Sequence, residues 1–213
     1  MFGSAIKQTG SDQRHAGIVF KNRDTGKLFL LHLAWHLQLT LEELPSDYSL
    51  VPMTSFDDEE LQLFAESAAK VFEENSNAIP YGLSYTGAAV FNGDLKFVDS
   101  PGGGLTCSTF LLGFFEALGF DVLDLETWEN RTDDKIWQEF IYGHLAKRLS
   151  KEQAAQQRQV IGTAFRFRPE EVVGAVGVYD DDPLAFSEVT ALGEQVIREM
   201  KEAKKAPAAA PVT

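Results

Sequence analysis

Two apolar runs flanking a polar turn give the clearest pattern in the chain. His15-Ala16-Gly17-Ile18-Val19-Phe20 and Lys27-Leu28-Phe29-Leu30-Leu31-His32-Leu33 read as strands, and Lys21-Asn22-Arg23-Asp24-Thr25-Gly26 between them as a compact turn. From Asp57 the period becomes helical. Leu61, Phe64, Ala65, Ala68, Val71 and Phe72 share one face, and Asp57, Asp58, Glu59 and Glu60 sit at the positive end of the helix dipole. The stretch 75–99 is rich in Gly, Asn and Tyr, with short strands expected at 88–91 and 95–98. A further helix starts at Cys107, carries Phe110, Leu111, Phe114, Phe115 and Leu118 on the same stripe, and should stop at Gly119. More helices are expected at 132–149, 151–161, 169–176 (with Pro169 at its first position) and 183–201. The Ala- and Pro-rich residues 204–213 read as a frayed tail.

This order predicts an α+β fold with a small antiparallel sheet and a mostly helical C-terminal third. Composition supports a well-filled interior: of 213 residues 44% are hydrophobic, with 16 Phe and 3 Trp. The formal charge of −13 argues against nucleic acid or an anionic membrane surface as partner, since both are polyanionic. The longest apolar run, 28–33, is broken by His32 and too short to span a bilayer, so no stable membrane insertion is expected. A single cysteine forms no internal disulfide, and Met1-Phe2-Gly3-Ser4-Ala5-Ile6-Lys7-Gln8 lacks the apolar core of a signal peptide. A cytoplasmic location is the expectation, although delivery by a dedicated secretion machine would leave the same sequence.

The lone cysteine lies in Gly102-Gly103-Gly104-Leu105-Thr106-Cys107-Ser108-Thr109, a glycine loop entering a helix. A helix N-terminus favours the thiolate, which is the nucleophilic form. Thiol catalysis also needs an imidazole to take the proton and a third group to orient that imidazole. A hairpin with an even-numbered loop centred between Arg23 and Asp24 pairs residues summing to 47, which sets Phe20 opposite Lys27 and His15 opposite His32. Cys107, His15 and His32 then fill the three roles. The free N–H of Cys107 is available to an oxyanion, and the preceding glycines allow close substrate approach. Each residue also has a plain alternative. Cys107 lies on its helix's apolar stripe and reads equally as a buried structural thiol. His15 reads as a surface residue and His32 as a satisfied core histidine. His144, in the stripe Trp137, Phe140, Ile141, His144, Leu145, reads as a core-edge residue. A metal site from His15, His32 and His36 lacks paired cysteines or regular spacing. The glycine triplet has no Walker lysine. The runs Asp57–Glu60 and Asp180-Asp181-Asp182 read as a helix start and a solvated turn.

At these residues the chain resembles the circularly permuted branch of the papain-like amidase superfamily, which includes NlpC-type hydrolases and the lecithin–retinol acyltransferase group. That branch opens a strand with His-x-Gly-Ile-Val, matched by His15-Ala16-Gly17-Ile18-Val19. A polar residue on the next strand is matched by His32 in Leu30-Leu31-His32-Leu33. The nucleophile follows as Cys-Ser-x-x-hydrophobic, matched by Cys107-Ser108-Thr109-Phe110-Leu111, and Pro80-Tyr81-Gly82-Leu83 is similar to an aromatic-glycine element in some relatives. The resemblance covers roughly 11–120. It implies a permuted papain-like core over 1–130, with the sheet packed against the nucleophile helix, and leaves 131–203 as a helical extension packed on the core and 204–213 as a disordered tail. It implies a cysteine hydrolase, of amidase, peptidase or deacylase type, acting on a peptide, amide or acyl ester through a thioester. Cys107 would be the nucleophile, His15 the base and His32 its orienting partner, with Ser108, Gly104 and Tyr81 at the oxyanion and substrate-binding positions. No metal or organic cofactor is implied. Permuted relatives often have an acidic third residue, so His32, His36 and Asp99 all remain candidates for that role. An acyltransferase on the same scaffold, a metal-binding protein, or a non-catalytic module that recruits a protein partner through the helical extension are the alternatives.

Overall fold

The computed structural model of the chain describes residues 1–98 and 103–205. Asp99, Gly102 and the tail from residue 206 lie outside the described residues, so the expectations that fall on them end there. Among the described residues the fold is α+β: a five-stranded antiparallel sheet and six helices. The strands are β1 (Phe2–Gln8), β2 (Arg14–Lys21), β3 (Leu28–Trp35), β4 (Gln38–Glu43) and β5 (Ser49–Pro52), in the order β4-β3-β2-β1-β5.

Both expected strands, now β2 and β3, are present, but their register differs from the one expected. Phe20 pairs with Phe29 and Lys21 with Leu28, so partners sum to 49 rather than 47. A shift of two residues preserves the face of every side chain, whereas a shift of one would have inverted them all. Alternation therefore survives: Ala16, Ile18, Phe20, Leu31 and Leu33 join the main core, while Val19 and Leu30 join a smaller cluster on the other face with Ala5 and Tyr48.

Strand β1 carries little strand propensity, because Gly3, Ser4 and Ala5 are small. Its position is enforced by pairing with β2 on one side and β5 on the other. Phe2 enters an aromatic cluster with Phe64, Phe114 and Phe115, at ring separations of 5.4, 6.0 and 6.2 Å. Between 88 and 98 the expected strand pair reduces to a single bridge, Phe91 to Phe97. Asn75 closes this turn region, donating to Leu95 O at 2.7 Å and accepting from Phe97 N at 2.7 Å.

The helices are α1 (Asp58–Asn75), α2 (Cys107–Ala117), α3 (Asp134–Leu145), α4 (Lys151–Gln159), α5 (Pro169–Val178) and α6 (Phe186–Lys205). A 3-10 turn, Leu125–Thr127, separates α2 from α3. Helix α1 starts with a capping box, in which Asp57 accepts from Glu60 N and Asp57 N donates to the Glu60 carboxylate. Helices α1, α2 and α5 cover the main face of the sheet, and Val172, Val173, Ala175 and Val176 of α5 are fully buried there. On α3 the buried line is not the apolar stripe read from the sequence. It runs through Asp134, Gln138, Ile141 and Leu145, while Phe140 is 53% exposed and His144 is exposed beside it. Loop backbone satisfies the polar pair except at Asp134 Oδ1, which accepts no hydrogen bond and has Arg166 Nη1 at 3.8 Å. Gln138 donates to Ala164 O at 2.7 Å and accepts from Gly162 N at 2.6 Å, and Asp134 accepts from Arg131 N at 2.9 Å. Among the described residues no helix is long and apolar enough to cross a membrane.

Candidate functional site

The histidine pair forms where β2 begins and β3 ends. His32 lies directly across from Gly17, two residues along β2 from His15 on the same sheet face. The glycine is what lets the two rings meet. A Cβ at position 17 would fall 2.8 Å from each of His32 Cβ, Leu30 Cδ1 and Leu31 O. In the space left free, His15 Nε2 and His32 Nδ1 come within 2.7 Å, with ring centroids 4.9 Å apart and planes at 77°. Tyr48 closes over both rings at 6.5 and 6.4 Å.

A residue that sequence reasoning missed completes this chain. Glu42 on β4 sits 3.2 Å from His32 Nε2 through Oε1. A carboxylate only accepts hydrogen bonds, so His32 Nε2–H is the donor and its Nδ1 carries the lone pair. His15 Nε2–H must then donate to His32 Nδ1. This leaves the lone pair of His15 on Nδ1, free to act as a base. The signal was present in Gln38–Glu43, but β4 was not recognised as a strand, and only that strand places Glu42 beside β3.

Both imidazoles are held neutral. Burial, reinforced by the Lys7 charge opposite it on β1 and opposed by Glu42, lowers the His15 pKa to about 4. Burial and the neighbouring His15 lower that of His32 to about 4, again against Glu42. His36 does not join them. Its Nδ1 accepts from Tyr81 N at 3.2 Å, so it braces the backbone of the Pro80-Tyr81-Gly82 segment.

That segment anchors the start of α2. Leu105 N donates to Pro80 O at 2.9 Å and Gly82 N to Leu105 O at 3.2 Å, forming a short parallel bridge. Gly82 and Gly104 pack back to back here, and a Cβ on Gly104 would lie 2.8 Å from Gly82 N. Gly104 thus acts as a packing residue behind the site and does not line the cavity. Thr106 and Thr109 then cap the helix reciprocally, through Thr109 N to Thr106 Oγ1 at 3.2 Å and Thr106 N to Thr109 Oγ1 at 2.8 Å. Cys107 is the first residue inside, 5% exposed. Burial pushes its thiol up, against backbone hydrogen bonds from Ala16, Ser108 and Cys107 itself, which favour the thiolate. The Ala16 contact ties the sulfur to the residue following His15.

Cys107, Ser108, His15, His32, Tyr48 and Tyr81 all line one cavity of about 340 Å³. Tyr81 stacks on Trp35 at 4.6 Å in its wall. Arg14, Arg166 and Glu170 close another side. A separate hollow of about 410 Å³, acidic with Glu116, Asp121, Asp124 and Glu126, shares no residue with it. Among the described residues no group of three or more His, Cys, Asp or Glu is placed to hold a metal ion. The arrangement offers a thiol, a neutral imidazole pair and the amide groups of a helix N-terminus, on residues that line one partly open cavity. Comparison with known protein families, with curated proteins and with solved structures finds no match to this chain.

Proposed function

We propose that the protein is a cysteine hydrolase that cleaves an amide or ester through a thioester, with Cys107 as nucleophile and His15 as general base. The single observation that carries this reading is the hydrogen-bonded chain Glu42–His32–His15, whose terminal ring belongs to a residue lining the same cavity as Cys107. A buried structural thiol needs no such chain. On attack, Cys107 Sγ bonds to the substrate carbonyl carbon while its proton passes to His15 Nδ1. The N–H groups at the start of α2 and the hydroxyl of Ser108 face the developing oxyanion. Collapse returns the proton from His15 to the leaving amine or alcohol, and water, activated by the same nitrogen, hydrolyses the thioester. His32 holds the imidazole and spreads the charge it gains, and Glu42 fixes the tautomer of His32. The order of His15, His32 and Cys107 along the chain, and a sheet packed on the cysteine helix, support the resemblance to permuted papain-like amidases.

The 5% exposure of Cys107 favours a second reading, a non-catalytic scaffold of the same shape. One experiment separates them. Iodoacetamide should alkylate Cys107 in the folded protein near neutral pH, and His15→Ala should slow that reaction. Turnover of an activated acyl ester should fall by roughly a thousandfold or more in Cys107→Ala, with the circular dichroism spectrum unchanged. A thiol that reacts only after denaturation would leave the scaffold reading in its place.

A further inference from the structure

Four arginines, of which Arg14 and Arg166 line the cavity, are paired with nearby carboxylates. Arg14 Nη1 meets Glu170 Oε1 at 2.8 Å, and Arg131 Nη2 meets Glu171 Oε1 at 2.6 Å. Arg168 Nη2 reaches both Asp133 oxygens, at 2.8 and 2.9 Å. Arg166 differs. Its contacts to Asp133 Oδ2 at 3.3 Å and Asp134 Oδ1 at 3.8 Å both fall on Nη1, and the Asp133 it reaches already serves Arg168. Its Nε has no hydrogen-bond partner but is sealed from solvent, so Nη2, which bonds to no other described residue and is not sealed, is the donor left for a ligand on a side chain only 10% exposed. Arg168 Nε is unpartnered as well, but Arg168 does not line the cavity of the thiol, and Arg166 does.

Position and orientation point the same way. The guanidinium lies over the Trp137 ring at 4.5 Å, which fixes its plane. Its main chain is pinned too, since Arg166 O accepts from Trp128 Nε1 and Arg131 Nη1, each at 3.4 Å. Tyr81, Cys107 and Arg166 all line the same cavity. Arg166 and Trp137 also line the adjoining groove of about 500 Å³, which places them where the two spaces join. A buried guanidinium with donors unmet is costly, and the planar fork of arginine matches a carboxylate.

We propose that Arg166 is a carboxylate-binding subsite, so that the substrate is an acyl compound bearing a carboxylate a short distance from the bond that Cys107 attacks. This rests on Cys107 being a reachable nucleophile, and the test separates the two ideas.

The probes are N-iodoacetyl glycine, its β-alanine and γ-aminobutyrate homologues, and the neutral methylamide of each. The thiol displaces iodide, forming the S–C bond as C–I breaks, with the thiol proton passing to the base. Rates at Cys107 are read by mass spectrometry and divided by those of glutathione. At one spacer length the acid should outpace its methylamide by about tenfold or more, the scale of a charge-assisted hydrogen bond. That preference should vanish in Arg166→Gln while the methylamide rate holds, persist in part in Arg166→Lys, and shrink as salt is raised. An equal acid-to-amide ratio in wild type and Arg166→Gln, or no preference at any spacer, overturns the subsite. If Arg166→Gln does not fold, Arg166→Lys and the salt series on the wild type decide it. If no probe labels the folded protein, the hydrolase reading fails by itself, and calorimetric titration with glutarate judges the subsite: binding that Arg166→Lys retains and salt weakens keeps it, and no binding overturns it.

Discussion

Two walls of one cavity keep polar groups out of water in opposite ways. On the sheet side, His15 and His32 are buried uncharged, and their hydrogen bonds run in one direction to a carboxylate that is 45% exposed. Where β2 meets α5, Arg14–Glu170 lines the cavity as an ion pair, and Arg131–Glu171, outside the cavity, is buried in the same way, each cation against its own anion. The neutral wall can gain or lose a proton and so can do chemistry. The ionic wall is held together by its own charge pairs and serves to position or attract. On the proposed reading, reaction and recognition fall on different sides of the same space.

Breaking the ionic wall should have the largest effect on stability. Glu171 is 4% exposed, and burial already raises its pKa against the pull of Arg131. Arg131→Met would strand that carboxyl and should cost about 3–5 kcal/mol in urea unfolding at pH 7. Adding Glu171→Leu to the same chain should recover much of the loss, and a double variant as weak as the single would contradict this account.

The neutral wall is more sensitive to shape than to charge. Gly17→Ala drives a methyl group to 2.8 Å from His32 Cβ and Leu31 O, a backbone atom that cannot yield cheaply. Destabilisation of about 1–3 kcal/mol is expected. The His15–His32 bond should break with it, so activity should fall further than stability alone explains.

Acid separates the two walls without mutation. Both histidines have pKa values lowered to about 4 in the folded protein, against 6.5 in the unfolded chain. The unfolded state therefore binds more protons between these values. The stability contributed by the neutral pair is full above pH 6.5 and is lost as the pH falls toward 4. Between pH 7 and 5, above the usual range of carboxylates, the loss should be on the order of 1–2 kcal/mol, allowing for partial exposure. His15→Gln should flatten this slope, and an unchanged slope would remove the neutral pair as its source. His36, whose pKa burial also lowers, adds in the same direction and should remain in the variant. The acid limb of any hydrolase activity should likewise lie near pH 4 rather than near 6.5.

What could be read from the chain follows from which forces act locally. The helix Cys107–Ala117 was legible because the apolar stripe lies within it and its end signals, the capping threonines and Gly119 at φ +89°, lie within two residues of its ends. The meeting of His15 and His32 was legible from parity, even though the register was displaced by two. The strand Phe2–Gln8 was not, since its small residues gain their strand state from neighbours on both sides. The apolar stripe of α3 is buried at Ile141 and Leu145 but not at its other positions, for a related reason. Phe140 and His144 look like core and are exposed, while Asp134 and Gln138 are buried by partners 3 to 26 residues away. Arg166 and Glu42 carried no local signal, because their meaning comes from strands and loops that pair at long range.

Glu42 offers the smallest and most discriminating change. As a carboxylate it accepts only, and so forces the proton of His32 onto Nε2. Glutamine keeps the size but presents both an oxygen and an NH2 group, so His32 can adopt either tautomer. In the wrong one, His32 Nδ1–H points at His15, whose Nε2 must become the acceptor, and the proton moves to the Nδ1 that should be the base. Only a fraction of molecules would hold the productive tautomer. kcat should then fall roughly three- to tenfold in Glu42→Gln with KM unchanged, because nothing that touches substrate has moved. The side chain is 45% exposed, so stability should barely change. The 15N shifts of His15 should report the redistribution directly, with Nδ1 unprotonated in the wild type and mixed in the variant. A wild-type His15 protonated at Nδ1 near neutral pH would break the relay, and with it the contrast between a titrating wall and a fixed one.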